Sequence, residues 1–352
     1  ENELSNQRKK QFLLACKDQN ITKKDLLNAI NEWKDKRILV IGDTILDQYS
    51  ACEPLGMSAE APVVVVKELE QKNFIGGASI VASHIAALGS KCNLISVIGN
   101  DAIGDIVKKD LFQKKISAGL VIDPSRPTTF KKRYLVENQK LFRVSKLDDR
   151  PISEDVENQL IFKLEKLGPQ SNCIVISDFV YGVITERIIN KVKEISNMYS
   201  IPLIGDIQCS SQIGTLMKFS NFSLLCPNER EARIALQDNH SGIEKISNDI
   251  ITRLKIDGLV MKLGPDGFIT YDFSEKQKKI RQAFPALTPN PIDVAGAGDS
   301  LIAVMANGLA SNHKLMLTAA MAGCMASISV SKMGNIPIKN KELIQFINKI
   351  FD

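Results

Sequence analysis

An α/β fold is predicted, with a mostly parallel central sheet flanked by helices and a second, small β-sheet. Three observations predict it. Short continuous apolar runs recur along the chain, beginning with "RILVIG" at Arg37 and followed by "CNLISVIG", "GLVI", "NCIVIS", "IPLIGD", "FSLLCPN" and "DGLVMKLG". Strands covered on both faces have this texture. Helical stretches separate the runs, at Gly77 to Leu88, Ile184 to Ser196 and Asn228 to Leu236, and such alternation signals parallel strands joined by helices. Two segments break the alternation, "APVVVVKELEQKNF" and "TTFKKRYLVENQKLFRV", the second carrying Asn138-Gln139 between two β-prone runs. They predict antiparallel strands in a sheet of their own.

Taken in order, residues 1–36 are expected to form a helical extension, because Phe12, Leu13 and Leu14, then Leu26, Leu27, Ile30 and Trp33, fall at helical spacing in a Lys-, Asn- and Gln-rich background. Thr22 followed by Asp25 is a capping pattern that sets a short helix from Lys23 to about Trp33. The main domain, 37–352, starts at the first apolar strand. The small sheet draws on the stretches near 48–74 and 128–146. Helices from about Asp299 to Ala310, Lys314 to Lys332 and Asn340 to Ile350 finish the chain.

Composition removes several function classes. The 352 residues are 44% apolar and 24% charged, and no apolar run approaches the roughly 20 residues that cross a bilayer. No membrane role is expected. The first residues are polar and lysine-rich, without the texture of a secretion signal, so a cytoplasmic location is expected. Seven cysteines stand singly with no C-x-x-C pair, and the three histidines lie far apart, which fits reduced core thiols and not a zinc site. A net charge of +5, spread along the chain, suits anionic small molecules better than nucleic acid.

The chemistry concentrates in "NPIDVAGAGDSLIAVMANGLA", where Gly296, Ala297 and Gly298 precede Asp299 and an amphipathic helical run. A glycine-rich turn running into a helix start presents unpaired N–H groups and the positive dipole end, a natural oxyanion hole. A carboxylate at the same helix start can take a proton from an attacking hydroxyl while the amides stabilise charge on a migrating phosphoryl group. The plain alternative is that Asp299 only caps the helix. No GxxxxGK[ST] loop occurs, so a Walker-type nucleotide site is disfavoured.

The stretch "DVAGAGDS" resembles the second signature of the PfkB family of sugar kinases. Upstream, "GDTILD", "FIGGASIVASHIAALG", "LISVIGNDAIGD", "LLCPNEREA" and "VMKLGPDG" resemble that family's other segments in the right order, so the likeness covers about Arg37 to Phe351. It implies a ribokinase-like fold whose small sheet is a lid that covers the sugar and pairs two subunits into a homodimer. It also implies ATP and Mg²⁺, with K⁺ in some relatives. Within the family, "GDTILDQY", "MSAEAPVVVVK" and "KLFRVSKLD" are most similar to heptose 7-phosphate kinases, the kinase half of ADP-heptose synthases of lipopolysaccharide assembly. That implies a sugar phosphate acceptor, transfer to the anomeric oxygen, and a fused or partner nucleotidyltransferase.

Carried over by position, the resemblance makes Asp299 the base and Gly296, Ala297 and Gly298 the anion hole. It gives Asp43, Asp47, Gly76, Gly77, Ser79 and Arg143 to the sugar. Asn228, Lys262, Gly264, Gly267 and Gly298 go to the nucleotide, Asn228 and Glu231 to Mg²⁺ through water, and Asp293 to a monovalent cation. Lys131, Lys132, Arg133 and Arg143 could meet a substrate phosphate from the lid. Five positions depart from the pattern. Ile80 replaces an asparagine that contacts the sugar, Tyr181 a lysine, Ile207-Gln208 a Pro-Lys pair, and Ala295 a common threonine that a backbone-built anion hole can do without. Two cations are thereby lost, and the substrate is expected to have changed more than the catalysis.

Overall fold

A computed structural model describes residues 2–209, 215–275 and 278–352; Ser210, Ser211 and Gln212, which end the Ile207-Gln208 stretch, lie outside the described residues. Thirteen strands among them are β1 (Arg37–Gly42), β2 (Thr44–Met57), β3 (Val64–Gly77), β4 (Lys91–Ile98), β5 (Ser117–Ile122), β6 (Thr129–Val136), β7 (Gln139–Lys146), β8 (Cys173–Asp178), β9 (Leu203–Ile207), β10 (Leu224–Leu225), β11 (Gly258–Lys262), β12 (Phe268–Asp272) and β13 (Ile280–Phe284). Nine form one sheet in the order β13-β12-β11-β10-β9-β8-β1-β4-β5. The seven strands from β11 to β5 run parallel, and β12 and β13 close the far edge antiparallel.

Side chains that alternate along each strand feed two separate cores, which is why the strands read as unbroken apolar runs. Ile38 and Val40 face one core, built with α1 (Asn2–Asp18), α2 (Lys23–Glu32), α3 (Ala78–Ala87), α9 (Ala297–Ala310), α10 (Leu315–Val330) and α11 (Asn340–Phe351). Leu39 and Ile41 face the other, built with α5 (Glu154–Leu167), α6 (Glu186–Tyr199), α7 (Glu229–Leu236) and α8 (Ile243–Leu254). The first two helices are part of the first core. Phe12, Leu26 and Trp33 are fully buried there, Phe12 packs against Phe284 and Phe351, and the Thr22–Asp25 capping box starts α2. Among the described residues no helix is long and apolar enough to cross a membrane.

The small sheet has the order β3-β2-β6-β7. Each hairpin is antiparallel, as expected, but β2 and β6 join them side by side in parallel. This corrects an all-antiparallel expectation, because pairing between strands some 85 residues apart leaves no mark on local pattern. The β6–β7 turn also centres one residue earlier than Asn138-Gln139: Glu137 and Asn138 carry the positive φ values, 48° and 67°, that a tight two-residue hairpin demands. The lid is spliced directly into the main sheet. Only Asp43 separates β1 from β2, and β3 runs straight into α3. The splice requires glycine at Gly77, where φ is 63° and an added Cβ would lie 2.2 Å from the Asp43 carbonyl oxygen.

Candidate active site

Parallel sheets place ligands beyond the carboxyl ends of their strands, and the polar residues of this chain gather there. Asp43 follows β1, Asp178 ends β8, Asp206 lies in β9, Asn228 follows β10 and Lys262 ends β11. Helix α9 points its start at the same edge. Gly296 caps it in the left-handed region at φ 78°, no side chain occupies the cap, and Asp299 falls at the third helical position. Asp299 is therefore not the N-cap. Its buried carboxylate accepts a hydrogen bond from Gln208 Nε2 at 2.7 Å, and the same amide nitrogen lies 3.1 Å from Asp206 Oδ2.

Burial, and next the charge of Asp206, push the Asp299 carboxyl up to about 7, against the opposing pull of Lys262 and Gln208. Lys262 Nζ sits 3.5 Å from Asp206 Oδ1. Burial works against its ammonium, but the carboxylates of Asp206, Glu231 and Asp299 outweigh that and hold it charged. Lys262, Gly264, Gly267, Ala297 and Gly298 line one cavity of about 170 Å³, walled by Phe268, Leu287, Leu301 and Val330. Of the residues expected on the nucleotide side, Lys262, Gly264, Gly267 and Gly298 thus share a largely apolar cleft at the start of α9, and Asn228 does not line it. A larger cleft of about 1200 Å³, lined by Asp18, Asp257 and His313 among others, contains none of these residues.

Asn228 and Glu231 form a reciprocal capping box on α7: Glu231 N donates to Asn228 Oδ1 and Asn228 N to Glu231 Oε2, both at 2.8 Å. Burial raises the Glu231 carboxyl, and Lys262 is the main influence lowering it. Hard oxygen donors of this kind suit Mg²⁺ held through water. Among the described residues no group of three or more metal-ligating side chains exists, so such an ion would ride chiefly on nucleotide phosphates and water.

On the sugar side, Asp47 in β2 pairs with Arg133 Nη1 from β6, and Asn335 Nδ2 lies 3.5 Å from its other oxygen. Gly76 abuts the same carboxylate, since a Cβ there would lie 2.6 Å from Asp47 Oδ2. Arg133, not Arg143, is the arginine brought to Asp47; Arg143 sits one strand further out, opposite Arg133. Asp43 faces inward and accepts from the amides of Phe179 at 2.7 Å and Val183 at 3.4 Å, with burial, then Asp178, pushing its carboxyl well above the usual range. Ser79 is buried and bonded to Thr44 Oγ1 at 2.8 Å.

Sequence reasoning did not find three participants, Asp206, Asn335 and Gln208. Asp206 and Asn335 lacked any local signal. Asn335 Oδ1 is buried without a hydrogen-bond partner among the described residues and lies 2.2 Å from where a Gly296 Cβ would be, so it joins the lid side of the site to the anion hole. Gln208 registered only as a departure, yet it is the partner of the candidate base. At Tyr181, where a lysine was missed, an ammonium is present after all: Lys131 of β6 places Nζ 4.9 Å from the Tyr181 ring centroid and 5.8 Å from that of Phe179. Asp293 has its carboxylate taken up by Lys140, Tyr49 and two backbone amides.

Comparison with known proteins places this geometry in context. The chain is 31% identical over 329 residues to the bifunctional protein HldE of Campylobacter jejuni, covering 91% of this chain and 66% of that relative. It spans about two thirds of the length of such relatives. The fold is shared with Escherichia coli phosphofructokinase-2 in complex with substrates and products (TM-score 0.73, 19% identity, 90% of this chain and 100% of that one). It is shared too with Arabidopsis thaliana ribokinase complexed with ribose and ATP (TM-score 0.66, 18% identity, 89% and 99%). At such identities these two likenesses establish the ribokinase-like fold. The pattern of the pfkB family carbohydrate kinases matches residues 35–341. Because that match takes in every strand of both sheets and the start of α9, the chain belongs to the pfkB family and is an ATP-dependent carbohydrate kinase.

Proposed function

We propose that this kinase transfers the γ-phosphoryl group of ATP to the anomeric hydroxyl of a heptose 7-phosphate or a closely related sugar phosphate. One observation carries the reading: the buried Asp299 carboxylate stands within the first turn of a helix without a side-chain cap, whose leading residues, Ala297 and Gly298, line the same cleft as Lys262. With Oδ1 held by Gln208, the second oxygen of Asp299 takes the proton as the sugar oxygen bonds to phosphorus and the bond to the departing ADP breaks. A carboxyl near 7 is matched to that task at neutral pH. The first-turn amides face the developing phosphoryl charge. Bound Mg²⁺ would supply charge neutralisation on the phosphates.

The sugar phosphate acceptor is supported by the likeness to HldE proteins and by two lid cations, Lys131 in register with Asp47 and Arg133 paired with its carboxylate, whereas Lys132 turns to Glu68. The nucleotidyltransferase activity that such relatives combine with a kinase belongs, in this reading, to a fused or partner domain. Pairing of two copies through the lid is supported by Met57, Val64, Leu141, Phe142 and Val144, all large, apolar and exposed on its strands. A second reading, a different sugar, is favoured by Ile80, which is fully buried and offers no hydrogen bond where the sugar contact is expected.

The test is ADP release across a panel of sugars and sugar phosphates, with wild type and Asp299→Asn, and phosphorus NMR of the product. A heptose 7-phosphate converted to the 1,7-bisphosphate, with turnover lost by a factor of about 10³ or more in the variant, is the expected outcome. Preference for another sugar selects the second reading, and no turnover on any acceptor refutes both.

A further inference from the structure

Phosphofructokinase-2 from Escherichia coli, which shares this fold, has been solved in complex with potassium. Asp293 is the residue expected to hold such an ion here, three positions before Gly296. Its surroundings do not fit one. A carboxylate has about four acceptor positions, and four donors fill them. Oδ1 accepts from Lys140 Nζ at 2.8 Å and from the Ala295 amide at 3.0 Å, while Oδ2 accepts from the Tyr49 hydroxyl at 2.8 Å and from the Gly334 amide at 3.1 Å. An alkali cation needs oxygen acceptors around it. This carboxylate, with only 2% of its side chain exposed, already has a cation, contributed by the lysine.

We infer that the Lys140 ammonium is a resident substitute for the monovalent cation, so that the loop shaping the anion hole is ordered without potassium. The placement has a second consequence. Lys140 lies on β7 and Tyr49 on β2, both strands of the lid, whereas Asp293, Ala295 and Gly334 belong to the body beside α9. Lys140 Nζ also lies 5.5 Å from the Tyr49 ring centroid, so the two lid residues reach Asp293 as one unit. The same carboxylate therefore ties the lid to the anion-hole loop. Where an exchangeable ion would order that loop whatever the lid does, the lysine can order it only when the lid is in place.

This inference rests on the kinase reading, and its test separates the two. Thermal melting, which needs no turnover, is compared for wild type and Lys140→Ala at one ionic strength in potassium chloride and in N-methylglucamine chloride. Wild type should melt within about 1 °C in both salts, and the variant should melt lower, with potassium alone restoring about 2 °C or more. In the turnover arm, wild-type ADP release should differ less than about twofold between the salts. Lys140→Ala should lose about tenfold in N-methylglucamine and regain most of it in potassium. Tenfold stimulation of wild type by potassium overturns the inference. So does a variant unaffected in both arms, or one weakened and not restored by potassium. Turnover on no acceptor, with the melting pattern intact, sinks the kinase reading alone.

Discussion

Replacing Gln208 by leucine removes the one side-chain hydrogen-bond donor found on Asp299 among the described residues while keeping the residue's bulk. The amide hydrogen bond at 2.7 Å favours the charged form of a buried carboxylate. Hydrogen bonds to charged groups are worth about 1.5–3 kcal/mol, and about 1.4 kcal/mol moves a titration tenfold, so the loss should move the acid limb of activity upward by about 1 to 2 pH units. The sign follows from the role: a base works deprotonated, so wild-type kcat/KM should rise through pH about 7 and level off above it. At pH 7 the variant should fall about 5- to 50-fold, and by pH 9.5 most of the loss should be recovered. Gln208→Lys should move the limb the other way, because a nearby ammonium favours the carboxylate. The assay is kcat/KM for ADP release from pH 5.5 to 9.5. A Gln208→Leu profile lowered at every pH with its acid limb unmoved would refute the argument and leave Gln208 with packing alone.

Gly77→Ala should lower the melting temperature by several degrees, since the new methyl meets the Asp43 carbonyl in a backbone region that costs about 1–2 kcal/mol for an L side chain; differential scanning calorimetry checks it. The single tryptophan, Trp33, caps the end of α2 and is fully buried, so its emission should stay blue-shifted until the whole domain unfolds; a red shift preceding the far-UV circular dichroism transition would make α1 and α2 a separate unit. Phe142→Asp on the exposed lid face should convert a dimer to a monomer in sedimentation velocity, at a cost of about 1 kcal/mol for its lost stack on Tyr134, and an unchanged sedimentation coefficient would remove the lid from assembly.

Much of the architecture was legible because each inner strand is buried on both faces. Ile38 and Val40 serve one core and Leu39 and Ile41 the other, so "RILVIG" could not have been half-exposed. The start of α9 was legible for a different reason: only glycine takes φ 78° freely ahead of a helix, so Gly296 announces the turn. What stayed hidden involves residues distant along the chain. Gln208 meets Asp299 across 91 positions, Lys140 meets Asp293 across 153 and Asn335 meets Asp47 across 288. No periodicity records such meetings, because they are set by how strands stack and not by any one segment. Tyr181 shows the limit from the other side. Read alone it was a lost charge, and the fold restores that charge from another strand as Lys131.

The splice of lid into body at Asp43 and Gly77 has a mechanical meaning. Of the lid's four strands, β2 and β3 leave the body at one point, where the Ala78 amide donates to the Asp43 carbonyl at 2.8 Å. Two 14-residue strands extend from that wrist, a paddle about 45 Å long at 3.3 Å per residue. A lever of that length multiplies small rotations: a turn of roughly 5° at the wrist sweeps the tip through about 4 Å.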